Sequence, residues 1–433
     1  MIIDSIYISG YKNLSKVKID LDSITSLVAP NGFGKSNFIE AMHFGIDFIK
    51  CSASLKSSLM NYSKAIPLNK HLEKNEFEFY LEMSKIKENT KYKLEYGFSF
   101  EWAKDGDTGA KITKEILKIK NVETSKFSNY INRTKTEGFV RKSETGRCNS
   151  PVKIKDNELI LNKLLAFDDL FYLDFLNEIN DISFLENKIE AYDCFSQLSY
   201  ERFKIDNADA ENFKNIPKYI YYLKKFHADK YEMLIYAFKS IFPNILEITA
   251  EELDKKIDFK SDYVFEDAEN VPFTISNKLY EIYVVEANLN QPIPFHYLSD
   301  GTKKVLLLLT IAISSELSKI SVIAIEELEN SIHPALLQKM LIVLANIIGN
   351  CKIILTSHSP YLVNYLEPEN IYVAIPNLKG IACFGKILDA KSKKIKQEAK
   401  KYDQYVGEYI FSLLSGDQDD YDLIYDYTGV TSV

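Results

Sequence analysis

The sequence is short of cysteine, tryptophan, long apolar runs and net positive charge, and each shortage closes off a class of protein. Its five cysteines (Cys51, Cys148, Cys194, Cys351, Cys383) are scattered, odd in number and free of any CxxC pair. Such usage fits reduced thiols rather than a disulfide framework or a zinc site. The most apolar run, Val305 to Ile313, is about half of the roughly 20 residues that a membrane span requires. The first residues, Met1 to Ser5, lack the basic-then-apolar layout of a secretion signal. A soluble, cytoplasmic protein with no membrane partner is therefore expected. Internal repeats are absent, and so are sustained heptads, which excludes a long coiled-coil arm. With a net charge of −8, a whole-molecule nucleic-acid footprint is excluded, and any such contact has to come from a local basic patch.

What is present describes an ordinary globular chain. Its 433 residues exceed one typical core and suggest two or three structural units, and 46% hydrophobic against 26% charged residues excludes a disordered protein. Strand-like alternation occupies Ile6–Ile8 and Val17–Leu21, with a turn at Gly10-Tyr11-Lys12-Asn13 between them. A third apolar run, Ile24 to Val28, leads into Ala29-Pro30-Asn31-Gly32-Phe33-Gly34-Lys35-Ser36, after which Asn37–Lys50 reads as a helix. Strand patterns recur at Phe77–Met83, Tyr92–Trp102 and Ile112–Ile119. From about residue 121 Asn, Ser, Thr and Lys dominate, then helical stretches run to about 242, with one long helix expected from Pro217 through Phe242. Strands are expected again near Ile257–Phe265 and Tyr280–Ala287.

Four segments carry chemistry. In the first, loop glycines let backbone N–H groups of Asn31, Gly32, Phe33, Gly34, Lys35, Ser36 and Asn37 cradle phosphate oxygens at a helix N-terminus. Lys35 is expected to reach the β- and γ-phosphates of ATP and the Ser36 hydroxyl to bind Mg²⁺. Ala29 stands where the pattern has its first glycine. In the second, Leu298-Ser299-Asp300-Gly301-Thr302-Lys303-Lys304, Ser299 and Thr302 can cap the apolar helix beyond them. In the third, the apolar strand Ser321–Ile325 ends in Glu326-Glu327. An acid for a Mg²⁺ shell with a second acid beside an attacking water is the layout of phosphoryl transfer, with Glu326 serving the metal and Glu327 the water. In the fourth, the strand from Cys351 to Thr356 leads to Ser357-His358-Ser359-Pro360, which places His358 to sense a γ-phosphate.

The ordered set APNGFGKSN, LSDGTKK, IEELENSIHP and LTSHSPYLV resembles the RecF/SMC/OLD branch of ABC ATPases. Within that branch it is similar to compact bacterial ATPases such as the PARIS- and Septu-type phage-defence subunits. The resemblance covers roughly residues 1–120 and 240–390, between which the helical stretches make a mainly helical insertion, and it implies an α/β ATPase head made of an antiparallel sheet lobe and a RecA-like phosphate-loop core. It implies a homodimer, or a higher even oligomer, in which the signature (Ser299, Asp300, Gly301, Lys303) meets the γ-phosphate held by the other protomer. It also implies that Glu329, Asn330 and Ser331 form the D-loop, that His333-Pro334 opens the next helix and that His358 is the switch histidine. Glu326 replaces the usual Asp, and no Q-loop glutamine can be placed. The expected organisation is a discontinuous head at 1–120 and 241–390, an insertion at 121–240, and a basic helix with an acidic tail at 391–433.

The chain around and beyond the motifs excludes two relatives in this branch: no Toprim-like metal framework succeeds Pro360, and no coiled coil is inserted. The resemblance implies a regulatory ATPase of phage defence with a separately encoded effector, such as a nuclease or toxin. A RecF-like ATPase clamping DNA is the alternative, and a nucleotide-dependent scaffold with little hydrolysis a third. The insertion's first third, from Lys111 to Lys155, holds twelve Lys and Arg against four Glu, with Phe127, Tyr130 and Phe139 interspersed. It reads equally as a site for nucleic acid or an acidic partner and as a solvated loop.

Overall fold

The computed structural model describes all residues except 31, 63–65, 73–75, 105–109, 124–125, 188–212, 214, 255–277, 331, 376–378, 417 and 431–433. The chain divides into two compact units: residues 1–187, 321–328 and 350–433 form the first, and residues 188–320 and 329–349 the second.

The first unit is built on two large sheets and a small two-stranded pair. Its strands are β1 (Ile2–Ser9), β2 (Val17–Asp20), β3 (Ile24–Val28), β4 (Asn61–Tyr62), β5 (Phe77–Lys87), β6 (Thr90–Phe100), β7 (Ala103–Lys104), β8 (Ile112–Asn121), β9 (Ser128–Arg133), β10 (Gly138–Arg141), β11 (Cys148–Pro151) and β12 (Ser183–Asn187). The chain returns later with β16 (Ile320–Glu326), β17 (Lys352–Ser357), β18 (Ile371–Ile375) and β19 (Cys383–Lys386). An eight-stranded antiparallel sheet runs β11-β10-β9-β8-β6-β5-β1-β2, and a six-stranded sheet runs β12-β16-β17-β3-β18-β19, with β4 and β7 forming a separate two-stranded parallel pair. Alternation fixes the register of the first. Phe77, Phe79, Leu81 and Met83 face inward while Glu78, Tyr80 and Glu82 face outward, and Phe77 pairs with Phe100. The tight β5–β6 turn has Glu88 and Asn89 at φ 50° and 63°, the left-handed pair that a two-residue hairpin demands. The helix Lys35–Lys50 fills the core, its Phe48 stacked on Phe98 and Phe100 at 4.7 and 5.1 Å.

Two expectations are corrected here. Residues 128–151, expected to open a mainly helical insertion, are strands β9 to β11 of the antiparallel sheet. Their polar composition conceals a one-sided alternation in which Ile131, Arg133 and Val140 point inward. Arg133 lies directly across from Glu115 in the β8–β9 pairing, and both are buried. Glu115 accepts the N–H groups of Ile160 and Leu161 at 2.6 and 2.9 Å, and Arg133 donates to the carbonyls of Glu158, Lys155 and Ile112. Burial pushes the Glu115 carboxyl above its usual range. The basic segment is partly committed within the fold: Lys118 pairs with Glu95, Lys135 with Glu101 and Lys155 with Glu158, and Arg133 is structural, while Lys114, Lys126, Lys142, Arg147 and Lys153 stay exposed.

The second correction concerns the chain's end, expected as a basic helix followed by a solvated acidic tail. The acidic stretch folds as the helix Gln418–Thr428, burying Ile424 and Tyr427 beside the helices Asp389–Lys401 and Val406–Leu414. Asp426 takes Lys391 and Lys394 at 2.7 and 3.0 Å, so the basic and acidic runs pair with each other.

The second unit contains β13 (Ile245–Asp254), β14 (Lys278–Glu286) and β15 (Ile293–Pro294) in one antiparallel sheet, with the helices Asp300–Ser314 and Pro334–Ile347. The single helix expected from Pro217 to Phe242 is two, Ile216–Phe226 and Ala228–Ile241, parted at His227 (φ −139°, ψ 64°). No glycine or proline marks that break in the sequence. The strand expected at 257–265 falls outside the described residues.

Candidate nucleotide site

The six-stranded sheet gathers three strand ends. β16, β17, β3 and β18 are parallel, with Glu326 opposite Thr356 and Ser357 opposite Val28. The phosphate loop, the acid pair and the histidine therefore leave the same edge of the sheet, where ligands of open parallel sheets bind. β17 lies between the other two, so the strand carrying His358 separates the loop from the acids.

The loop turns through Gly32 at φ 85° and Gly34 at φ 94°, and Gly34 caps the helix Lys35–Lys50. A Cβ on Gly34 would stand 2.6 Å from the Ala382 Cβ and 3.3 Å from Asn13 Oδ1, so glycine is required for space as well as for φ. The Lys35 ammonium donates to the carbonyls of Ala29 and Pro30 at 2.5 and 3.1 Å. A cavity of about 140 Å³ is lined by Gly32, Phe33, Gly34, Lys35, Ser36, Asn37, Glu326, Glu327 and Thr356. Of the loop residues singled out in the sequence, Asn31 lies outside the described residues.

Across the cavity, Glu326 Oε1 is buried without a hydrogen-bond partner, a costly state for a carboxylate oxygen. Glu327 follows at φ 49°, left-handed for a non-glycine residue, and its N–H donates to the Thr356 carbonyl at 3.0 Å. Strain of this kind, of order 1–3 kcal/mol, persists where surrounding structure enforces it and clusters at functional sites. The turn aims the Glu327 carboxylate at His358, whose Nδ1 is 3.4 Å from Oε1. Ser357 Oγ bonds the N–H and the carbonyl of Ser359, closing the turn that presents His358.

The donor set fits a hard divalent cation of the Mg²⁺ kind. Such an ion takes a hydroxyl, one carboxylate and substrate phosphates rather than a protein cage. The partnerless Glu326 oxygen and the Ser36 side chain face one cavity, and among the described residues no cluster of three or more His, Cys, Asp or Glu forms a cage of its own.

The remaining expected residues belong to the second unit. Ser299 caps the helix Asp300–Ser314, its Oγ accepting from the Thr302 N–H at 3.2 Å. Lys303 is buried and faces Asp300 at 3.3 Å. The Asn330 carbonyl accepts from Lys304, and that of Glu329 from the Ile332 N–H, while Ser331 lies outside the described residues. His333 caps the helix Pro334–Ile347 through its ring nitrogen, as the resemblance implied.

Sequence reasoning missed Asn13, Thr356 and Ala382. The Asn13 side chain accepts from Asn37 Nδ2 at 2.7 Å, and its carbonyl accepts from the Ala382 N–H at 2.9 Å. The β1–β2 turn thus clamps the start of the phosphate-loop helix. The sequence marked Asn13 only as a turn residue.

A phosphate loop, an acid pair and a histidine on parallel strand ends, with a separate LSDG-capped helix, define an ATPase of the ABC type. The chain belongs to the family described as AAA domain, putative AbiEii toxin, Type IV TA system, whose profile matches residues 24–364. No curated protein matches it in sequence. Solved structures similar to it include an SMC head bound to the C-terminal winged-helix domain of ScpA, with a TM-score of 0.49, 15% identity, and coverage of 91% of this chain and 100% of that one. The SMC head domain of Thermotoga maritima gives 0.42 and 12%, covering 90% and 100% of the two chains. An SMC head from Pyrococcus furiosus with an extended coiled coil, bound to the C-terminal domain of ScpA, gives 0.43 and 13%, covering 92% and 99%. Among the described residues no helix is long and apolar enough to cross a membrane.

Proposed function

We propose that this chain binds ATP with Mg²⁺ and hydrolyses it, in a homodimer or higher even oligomer, as a regulatory subunit of bacterial phage defence acting on a separately encoded effector. The observation that carries the enzymatic part is the cavity at the ends of β3, β16 and β17. Lys35, the partnerless Glu326 oxygen and a Glu327 aimed by a strained turn all meet one space there. Loop N–H groups and Lys35 hold the β- and γ-phosphates. Ser36 and Glu326 would hold the Mg²⁺, which when bound would draw charge from the phosphate oxygens. Glu327 orients the attacking water and takes its proton, and His358 reads the γ-phosphate. Ser299, at its helix start, closes the site of the partner protomer, with Glu329, Asn330 and Ser331 crossing the interface.

The family's description as a putative toxin of a toxin–antitoxin system favours work alongside a second gene product. A RecF-like DNA clamp draws on the basic residues from Lys111 to Lys155. The internal pairing of Lys118, Lys135 and Arg133 weighs against that reading. Nucleotide binding and phosphate release on two variants test the proposal. Lys35→Ala abolishes binding, while Glu327→Gln retains it and slows turnover by about 10²–10⁴-fold. Wild-type hydrolysis by Glu327→Gln would sink the assignment of the base, and binding without hydrolysis by the wild-type chain would leave a scaffold.

A further inference from the structure

The family match ends at residue 364, and the chain then continues into the C-terminal helices. One of these, Val406–Leu414, meets the turn that presents His358 backbone to backbone. A Cβ on Gly407 would stand 2.2 Å from the Pro360 carbonyl oxygen and 2.6 Å from Asn364 Oδ1. The Gly407 N–H donates to that Asn364 oxygen at 2.7 Å. Gly407 has no positive φ, so closeness alone demands glycine here.

The contact falls two residues beyond His358. The Pro360 carbonyl accepts the Asn364 N–H and closes the short helix Pro360–Val363, which the Ser359 side chain caps through the Tyr361 N–H. His358 thus stands in a turn with both ends held, at Ser357 by β17 and at Pro360 by the helix that carries Gly407 in its first turn. That helix is firmly based. Tyr409, Ile410, Leu413 and Leu414 are buried in one cluster with Val363 and with Val28, the last residue before the phosphate loop.

We propose that Gly407 and Asn364 are positioning residues for His358, so that the C-terminal helices prop the histidine against Glu327. The proposal rests on the reading of His358 given above. Neither residue lines the phosphate cavity, so their loss acts on turnover and not on nucleotide affinity. An alanine at 407 forces the Pro360 carbonyl back by about 1 Å, a displacement that can cost about 10²-fold in rate.

The experiment measures steady-state ATP hydrolysis and equilibrium nucleotide binding on the full chain. Gly407→Ala is expected to lower kcat by roughly 10–100-fold with nucleotide Kd unchanged. Asn364→Ala lowers kcat in the same way, and Asn364→Asp, which keeps the acceptor oxygen, restores it. Gly407→Ala added to His358→Ala produces no further loss, because both changes act through one group. Should Gly407→Ala fail to fold, the Asn364→Ala and Asn364→Asp pair carries the test. If His358→Ala alone hydrolyses at the wild-type rate, the reading of His358 fails. If His358→Ala is slow while Asn364→Ala is unimpaired, or if the His358 and Gly407 effects multiply, the positioning role is overturned.

Discussion

Two glycines of the phosphate loop look equivalent in the sequence, and the fold makes opposite demands on them. Gly32 and Gly34 both have positive φ, at 85° and 94°. An alanine in that region is strained by roughly 1–2 kcal/mol, offset by about 0.4–1 kcal/mol because alanine restricts the unfolded chain. At Gly32 nothing lies within 4 Å of an added Cβ, so Gly32→Ala should cost about 0–2 kcal/mol. At Gly34 the same methyl meets the Ala382 Cβ at 2.6 Å. Overpacking of this kind adds about 1–3 kcal/mol, for a total of roughly 1–5 kcal/mol. The assay is urea unfolding of the nucleotide-free chain followed by two probes, with the slope checked so that a shifted midpoint reports stability alone. Omitting nucleotide keeps a methyl at 32 from being confused with a clash against a phosphate. A Gly34→Ala protein as stable as Gly32→Ala would refute the claim that Ala382 braces the loop.

Three further outcomes are expected. Ser299→Arg should leave nucleotide affinity nearly intact and eliminate hydrolysis. Mixed with Glu327→Gln protein it should restore at most one composite site per heterodimer, and full activity of Ser299→Arg alone would sink the shared site. Arg133→Ala removes the guanidinium that donates to the carbonyls of Glu158, Ile112 and Lys155 and that stands near the buried Glu115, so unfolding should become easier by about 1–3 kcal/mol. A change within about 0.5 kcal/mol, the range of ordinary surface substitutions, would show that Arg133 is not structural. Purification from the native operon should bring down a second gene product in a nucleotide-dependent manner, and the chain alone should leave DNA and RNA intact in Mg²⁺ or Mn²⁺. Nuclease activity lost on substitution of Asp419 and Asp422 but kept in Lys35→Ala would restore an OLD-like reading.

The parts of the site that were legible in the sequence are those whose chemistry is local. A phosphate loop needs its glycines, lysine and serine within a few residues of one helix start, and Gly32 to Ser36 declare it. The acid pair is likewise contiguous, and its strand is recognisable because a parallel strand covered on both faces is apolar throughout. What could not be read is what one segment does to another. Asn13 and Ala382 meet Gly34 from far apart in the chain, and Gly407 reaches the Pro360 carbonyl across more than forty residues. None of these positions carries a residue type that advertises its role.

Charge misled for the same reason. Counted along the chain, the Lys111–Lys155 segment reads equally as a face offered to a partner and as a solvated loop, and the C-terminal region as a basic helix with a solvated acidic tail. Counted in the fold, Arg133 serves main-chain carbonyls, Lys118 answers Glu95, and Lys391 and Lys394 answer Asp426. A cation can attract nucleic acid only with the charge that its own neighbours leave unneutralised, so clusters in a sequence set an upper bound on a patch and never its size. Pairing of this kind has a second consequence at the chain's end. The ion pairs of Asp426 bind the helix Gln418–Thr428 to Asp389–Lys401, and a shared apolar cluster joins both to the helix behind Gly407. If the positioning role proposed for Gly407 holds, breaking the ion pairs of Asp426 should loosen the same support and slow turnover in the same sense as Gly407→Ala, with nucleotide Kd unchanged.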